Sequence, residues 1–229
     1  MILSAGFGKR LNPLTLNCPK PLLKIGKETL LSNAISFLEK SEIEEAVINV
    51  HYLGDQIIEY VNKKKFNLKI TIINEKEKIL DTGGGMLNAL KYFNESFICI
   101  NPDTVWNFSY LKELSLMEEA FHLNKKNKCH MLLVNKIKSF DKDFKGDFNL
   151  ENNFINKRNK GDFKYIYTGL QIIKPEVFFD IDKKIFSLNE IWNKLIDNKE
   201  LNGIESQIKF LHISTLKIYK KLIENNFKY

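Results

Sequence analysis

Hydrophobic positions change period along the chain. Between Thr29 and Lys40, Leu30, Leu31, Ala34, Ile35 and Leu38 recur three and four residues apart, which predicts a helix with one buried face. Ala46-Val47-Ile48-Asn49-Val50 is a short apolar run, which predicts a buried strand. Ile57, Ile58 and Val61 mark a second helix, and Lys69 to Ile73 alternates and is β-branched, a further strand. The triplet Gly83-Gly84-Gly85 opens a helix through Met86, Leu87 and Leu90. Phe97 to Ile100 reads as a strand, Leu111 to Leu123 as a longer helix, and Met131 to Val134 as a strand. Ile2 and Leu3 read as the end of a first strand, shorter than the five or six residues strands usually run.

Strands that alternate with helices predict an α/β fold, with a parallel sheet and helices on both faces. Ligands in such a sheet bind beyond the carboxyl ends of the strands. A glycine loop at residues 4–8, the glycine triplet and Asp103 all follow predicted strands, so they are expected on one rim.

Beyond Lys136 the pattern changes. Residues 138–164 are polar and contain Gly146-Asp147-Phe148, read as hairpins and loops over one end of the sheet. Tyr165 to Ile173 is a strong strand, and Pro175 suits the first turn of a short helix. Ser187 to Asn198 predicts a helix whose Ser187 and Glu190 form a capping box. Ile208 to Ile213 is strand-like, and Thr215 caps a final helix running into the lysine-rich end. With no internal repeat and no linker, one domain over 1–229 is expected.

The glycine loop supplies the first chemistry. Ser4, Ala5, Gly6 and Gly8 are small, and such a turn leaves N–H groups free to cradle an anion. Lys9, Arg10 and Lys20 add three cations, which suits a polyphosphate. Leu11 stands where a dinucleotide fingerprint needs its third glycine or alanine, and no Gly-Lys-Ser/Thr closes a P-loop. Asp103, in Asn101-Pro102-Asp103-Thr104, is either a turn aspartate or a carboxylate for Mg²⁺ held between phosphates.

Composition narrows the partners. A net charge of +7 invites a nucleic-acid reading, but the lysines are scattered, with only short clusters such as Lys63-Lys64-Lys65 and Lys125-Lys126. Anionic small substrates benefit from the same field, and no nucleic-acid partner is expected. Cys18, Cys99 and Cys129 follow no zinc or disulfide spacing, which fits a reducing cytoplasm. No apolar stretch is long enough to span a membrane and no signal peptide is visible, so no membrane partner is expected.

The string from Gly6 through Arg10, Pro13 and Thr15 to Pro19-Lys20-Pro21-Leu22-Leu23 resembles the signature of sugar-1-phosphate nucleotidylyltransferases. Asn49-Val50-His51-Tyr52, Asp81-Thr82-Gly83-Gly84-Gly85, Asn101-Pro102-Asp103-Thr104 and Gly146-Asp147-Phe148 most resemble the N-acetylmuramate-1-phosphate uridylyltransferase group of peptidoglycan recycling. Mannose-1-phosphate guanylyltransferases are close behind. The resemblance implies a Rossmann-like nucleotide-diphospho-sugar transferase fold with a mixed, mostly parallel sheet. It divides the chain into a nucleotide-binding part, about 1–110, and a sugar-phosphate-binding part, about 111–229. It implies a nucleoside triphosphate and a sugar 1-phosphate as substrates, Mg²⁺ as cofactor, and a monomer or small homo-oligomer. A catalytically weak regulator on the same fold is a further alternative.

Residue by residue, the resemblance implies Arg10, Lys20 and Asp103 as the catalytic set, with Asp103 on the metal. It places Ser4, Ala5, Gly6, Gly8, Lys9, Thr82, Gly83 and Gly84 on the nucleotide, the glycines letting base edges meet the backbone. Asp147, Thr168 and Gly169 face the sugar phosphate, against the plainer readings of a hairpin turn and a strand bulge. A second metal aspartate is usual near the end of the family's domain. Here His212 stands in its place, within Phe210-Leu211-His212-Ile213-Ser214-Thr215. Imidazole is a poor Mg²⁺ ligand, so one carboxylate suffices, another acid assists, or the metal is held weakly.

Overall fold

The computed structural model describes residues 1–157, 161 and 163–225. In chain order the elements are β1 (Ile2–Leu3), β2 (Lys24–Ile25), β3 (Glu28–Thr29), α1 (Leu30–Lys40), β4 (Glu45–Val50), α2 (Gly54–Lys63), β5 (Lys69–Asn74), α3 (Asp81–Ala89) and β6 (Phe97–Ile100). Then come α4 (Tyr110–Leu123), β7 (Cys129–Asn135), β8 (Asn149–Glu151), β9 (Phe154–Asn156), β10 (Tyr165–Ile173), α5 (Leu188–Asp197), β11 (Leu201–Ser206) and α6 (Leu216–Glu224). The nine-stranded sheet runs β5-β4-β1-β6-β10-β7-β11-β9-β8. β5, β4, β1 and β6 are parallel, β10 is antiparallel to both its neighbours β6 and β7, and β11 is parallel to β7.

Successive residues of a strand point to opposite faces, so a strand covered on both faces must be apolar throughout. Ile48 and Val50 pack with Ile35, Leu38 and Ile57 from α1 and α2, while Val47 packs with Met86 and Ala89 from α3. Leu132 joins the first group and Met131 and Leu133 the second, with Trp192 and Leu195 of α5. Each of the larger side chains contributes roughly 1.5–3 kcal/mol on burial. α1 starts at a capping box in which Thr29 and Ser32 bond each other's backbone. None of the helices among the described residues is long and apolar enough to cross a membrane.

Two expectations are corrected. α5 has no Ser187–Glu190 capping box: Ser187 Oγ accepts from Asn189 N, and Glu190 pairs with Lys183. Residues 208–213 form no strand; Phe210 and His212 make isolated bridges to Ser139 and Thr104. The strand in this region is β11, which carries Asn202, Gly203 and Glu205 and so lacks an apolar pattern. The last residues of the predicted final helix, beyond 225, lie outside the described residues.

Candidate active site

Three strand ends build the site. After β1 the chain turns through Ser4 to Gly8, and Gly8 adopts φ 64°, where a side chain is strained. A Cβ there would also meet Lys20 Cβ at 3.0 Å, so Gly8 lets the loop close on Lys20. Thr15 Oγ1 donates to Gly8 O at 3.0 Å, and Tyr52, after β4, donates from its hydroxyl to Thr15 O at 2.8 Å. The loop is thereby strapped to the next strand end.

Ser4, Ala5, Gly6, Gly8, Lys9, Arg10, Lys20, Thr82 and Asp103 line one cavity of about 450 Å³. Arg10 is exposed, with no hydrogen bond or ion pair among the described residues. Ser4 does not offer its N–H to a ligand, because that group donates to Asn49 Oδ1 at 3.0 Å. Its Oγ is buried without a hydrogen-bond partner and is what Ser4 can present. Asn49 is fixed in turn by Glu75, whose Oε1 takes Asn49 Nδ2 at 2.7 Å and whose Oε2 takes Leu80 N at 2.9 Å.

Asp103 follows β6. Its Oδ2 accepts from Lys20 Nζ at 2.5 Å and lies 3.1 Å from His212 Nε2. Ile213 N donates to Asp103 O and Val105 N to Leu211 O, so residues 211–213 are bound alongside 103–105. The His212 ring is stacked on Phe210. Burial works to raise the Asp103 carboxyl, but the Lys20 ammonium and then the His212 imidazole overcome it and hold the group well below the usual carboxylate range. Asp103 Oδ1 is buried without a hydrogen-bond partner.

Within the glycine triplet, Gly83 and Gly84 pack closely on the segment before α5. Both glycines are buried, and both N–H groups donate to Phe186 O. A Cβ on Gly83 would fall 2.3 Å from the Phe186 ring, and one on Gly84 2.1 Å from Lys184 O. Thr82 stays at the cavity wall. Thr168 and Gly169 are packed as tightly. Thr168 is buried, with its Oγ1 donating to Leu132 O and its carbonyl accepting from Thr104 Oγ1. Gly169, at φ 90°, lies in a bulge of β10 where a Cβ would meet Asn101 Cβ at 2.8 Å.

Asp147 is half-buried, and its Oδ2 accepts from Tyr167 N at 2.9 Å. Burial raises its carboxyl, against the pull of that N–H, His212 and Lys157. Sequence reasoning missed Lys157. Its Nζ donates to Asn193 Oδ1 at 2.9 Å and Asn189 Oδ1 at 3.3 Å and lies over the Phe148 ring. The one local signal was a cation among polar residues, and its partners are 32 and 36 residues away.

Comparison with known proteins places the chain in a family. The nucleotidyl transferase family profile matches residues 1–137. An N-acetylmuramate alpha-1-phosphate uridylyltransferase of Caulobacter vibrioides is 26% identical, over 93% of this chain and 90% of that protein. Mannose-1-phosphate guanyltransferase 2 of Candida glabrata is 30% identical over 88% of this chain, but the match spans only 57% of that longer protein. In fold, a putative glucose-1-phosphate thymidylyltransferase of Bacillus anthracis superposes with a TM-score of 0.79 at 18% identity, covering 100% of this chain and 94% of that one. HddC of Yersinia pseudotuberculosis, solved with GMP-PN, gives 0.74 at 23% identity, covering 99% and 98%. The match of 137 of the 229 residues takes in the glycine loop, Lys20 and Asp103 together, and the chain belongs to the nucleotidyl transferase family.

Proposed function

We propose that the chain transfers a nucleotidyl group from a nucleoside triphosphate to a sugar 1-phosphate, and that the pair is UTP and N-acetylmuramate 1-phosphate. The observation that carries the reaction class is the Asp103 carboxylate, held by Lys20 and His212 at the end of a cavity whose other wall is the glycine loop with Lys9 and Arg10. The Caulobacter uridylyltransferase, matched over 90% of its length, supports the substrate pair.

A sugar-phosphate oxygen attacks the α-phosphorus in line. The new P–O bond forms as the bond to the β-phosphate oxygen breaks, and pyrophosphate leaves. The attacking phosphate is already ionised at neutral pH, so no general base is required. Catalysis is then positioning and charge neutralisation. Arg10, exposed at the cavity and unpaired among the described residues, suits the departing pyrophosphate. Lys20 gives one of its three N–H donors to Asp103 and keeps two for the α-phosphate region. Glycine-loop N–H groups beyond Ser4 orient the remaining oxygens.

Mg²⁺ fits this site as a one-carboxylate ion. Among the described residues no three His, Cys, Asp or Glu gather into a metal cluster. Asp103 nevertheless has one buried oxygen with no partner, and Mg²⁺ takes one or two protein carboxylates with phosphate oxygens and water. Bound there, the ion would neutralise phosphate charge. His212 directs Nε2 at Asp103 and so needs its proton there, which makes it a donor to the carboxylate and not a metal ligand.

A matrix of nucleoside triphosphates against sugar 1-phosphates, read as pyrophosphate release, tests the proposal. The largest kcat/KM is expected for UTP with N-acetylmuramate 1-phosphate. A maximum at GTP with mannose 1-phosphate would favour the second reading, which the 30% identical Candida glabrata protein supports. Silence across the matrix would favour a binding role.

A further inference from the structure

Two helix starts meet at the edge of the cavity. Thr82, in the first turn of α3, lines the cavity, and its Oγ1 accepts the N–H of Leu188 at 2.9 Å, 106 residues away. Leu188 is the first residue of α5. The N–H groups of a helix's first turn have no partner within the helix. Ser187 Oγ serves Asn189, so Leu188 depends on Thr82. Around this bond Gly83 N and Gly84 N donate to Phe186 O, Phe186 N donates to Leu80 O, and Lys184 O lies against Gly84. The starts of α3 and α5 are therefore one rigid joint.

α5 carries that joint to Lys157. Asn189 and Asn193 hold the Lys157 ammonium, and Trp192 meets Tyr167 and Phe148 edge-on, at 5.1 and 5.8 Å between ring centroids. Lys157 shares its field with Asp147. We propose that Thr82 is a positioning residue for the sugar phosphate: its hydroxyl stands on the nucleotide side and fixes the helix that orients Lys157. This rests on the proposed function. A hydroxyl that accepts from Leu188 keeps its own proton to donate. An acceptor on the bound nucleotide takes that proton and strengthens the Leu188 bond, as linked hydrogen bonds polarise one another. The two substrates thus favour each other's binding, reciprocally, through one side chain.

Hydrogen exchange of the ligand-free protein over residues 187–193, with separate KM values for the two substrates, tests this. Thr82→Val keeps the branched shape and removes the acceptor. Exchange over 187–193 is expected to quicken by about fivefold, with the central strands unchanged, and KM for the sugar phosphate to rise by about as much. Thr82→Ser, which keeps the hydroxyl, restores both. Unchanged exchange in Thr82→Val, or a rise confined to the KM of the nucleotide, would overturn the proposal. If the wild-type protein releases no pyrophosphate with any pair, the proposed function fails by itself. Exchange alone then decides the Thr82 link, quickened supporting it and unchanged overturning it.

Discussion

Lys20 and Asp103 stand 83 residues apart in the chain and meet at 2.5 Å, with side chains only 13% and 20% exposed. The cation therefore has a structural duty that Arg10, exposed and unpaired among the described residues, lacks. Arg10→Ala and Lys20→Ala are both expected to remove most turnover. Urea unfolding should separate them. Arg10→Ala stays within about 0.5 kcal/mol of wild type, while Lys20→Ala loses about 1–3 kcal/mol by leaving a shielded carboxylate short of a partner. Lys20→Ala with Asp103→Ala should recover part of that loss.

Replacing His212 by aspartate puts a second carboxylate where Nε2 now lies 3.1 Å from Asp103 Oδ2. Two like charges this close repel, and a divalent cation relieves them. His212→Asp is expected to melt lower than wild type in chelator and to gain more from added Mg²⁺. The Mg²⁺ concentration for half-maximal rate should fall. A thermal-shift titration with Mg²⁺ reads the first effect without any turnover.

The glycines divide by what surrounds them. Gly84→Ala forces a methyl group to 2.1 Å from Lys184 O, so the segment before α5 must move, at about 3 kcal/mol or more. Gly6 has open space around the same position. Gly6→Ala should leave the unfolding midpoint within a degree or two of wild type and act, if at all, on nucleotide KM.

His130 sets an acid limit on stability. It is buried in β7, with Nδ1 2.8 Å from Asn127 Nδ2 and Nε2 without a partner. Burial pushes its imidazole down to about 4 from an ordinary 6.5. As pH falls, the unfolded chain takes up the proton first. The contribution is therefore whole above about 6.5 and drains away as pH drops towards 4, on the order of 3 kcal/mol in all. Urea midpoints from pH 7 to 4.5 should fall more steeply in wild type than in His130→Leu.

The parallel half was legible because its strands are apolar on both faces: Val47 and Ile48 read as core whichever side they serve. β11 was hidden by Asn202, Gly203 and Glu205. Gly203 is there because a Cβ would fall 2.9 Å from both Met131 O and Ile155 Cδ1, a contact that no local pattern records. The cationic loop and Asp103 were legible as motifs, and so was the placing of His212 beside Asp103. The glycine triplet signalled a close approach without saying of what. One such approach is to the backbone before α5. Lys157 needed α5 in place before it meant anything.

The insertion of β10 between β6 and β7 bears on how the chain comes into being. Both sheet neighbours of β7, β10 and β11, are made after it. A growing chain that has delivered residues 1–137, the stretch that carries the family profile, can pair β5, β4, β1 and β6, but β7 has no strand to join. An apolar strand with two open edges waits on the ribosome until residues 165–173 arrive. Contacts of such sequence separation form slowly. A fragment ending at 137 should therefore aggregate, and the smallest piece that folds should be one that reaches past β11.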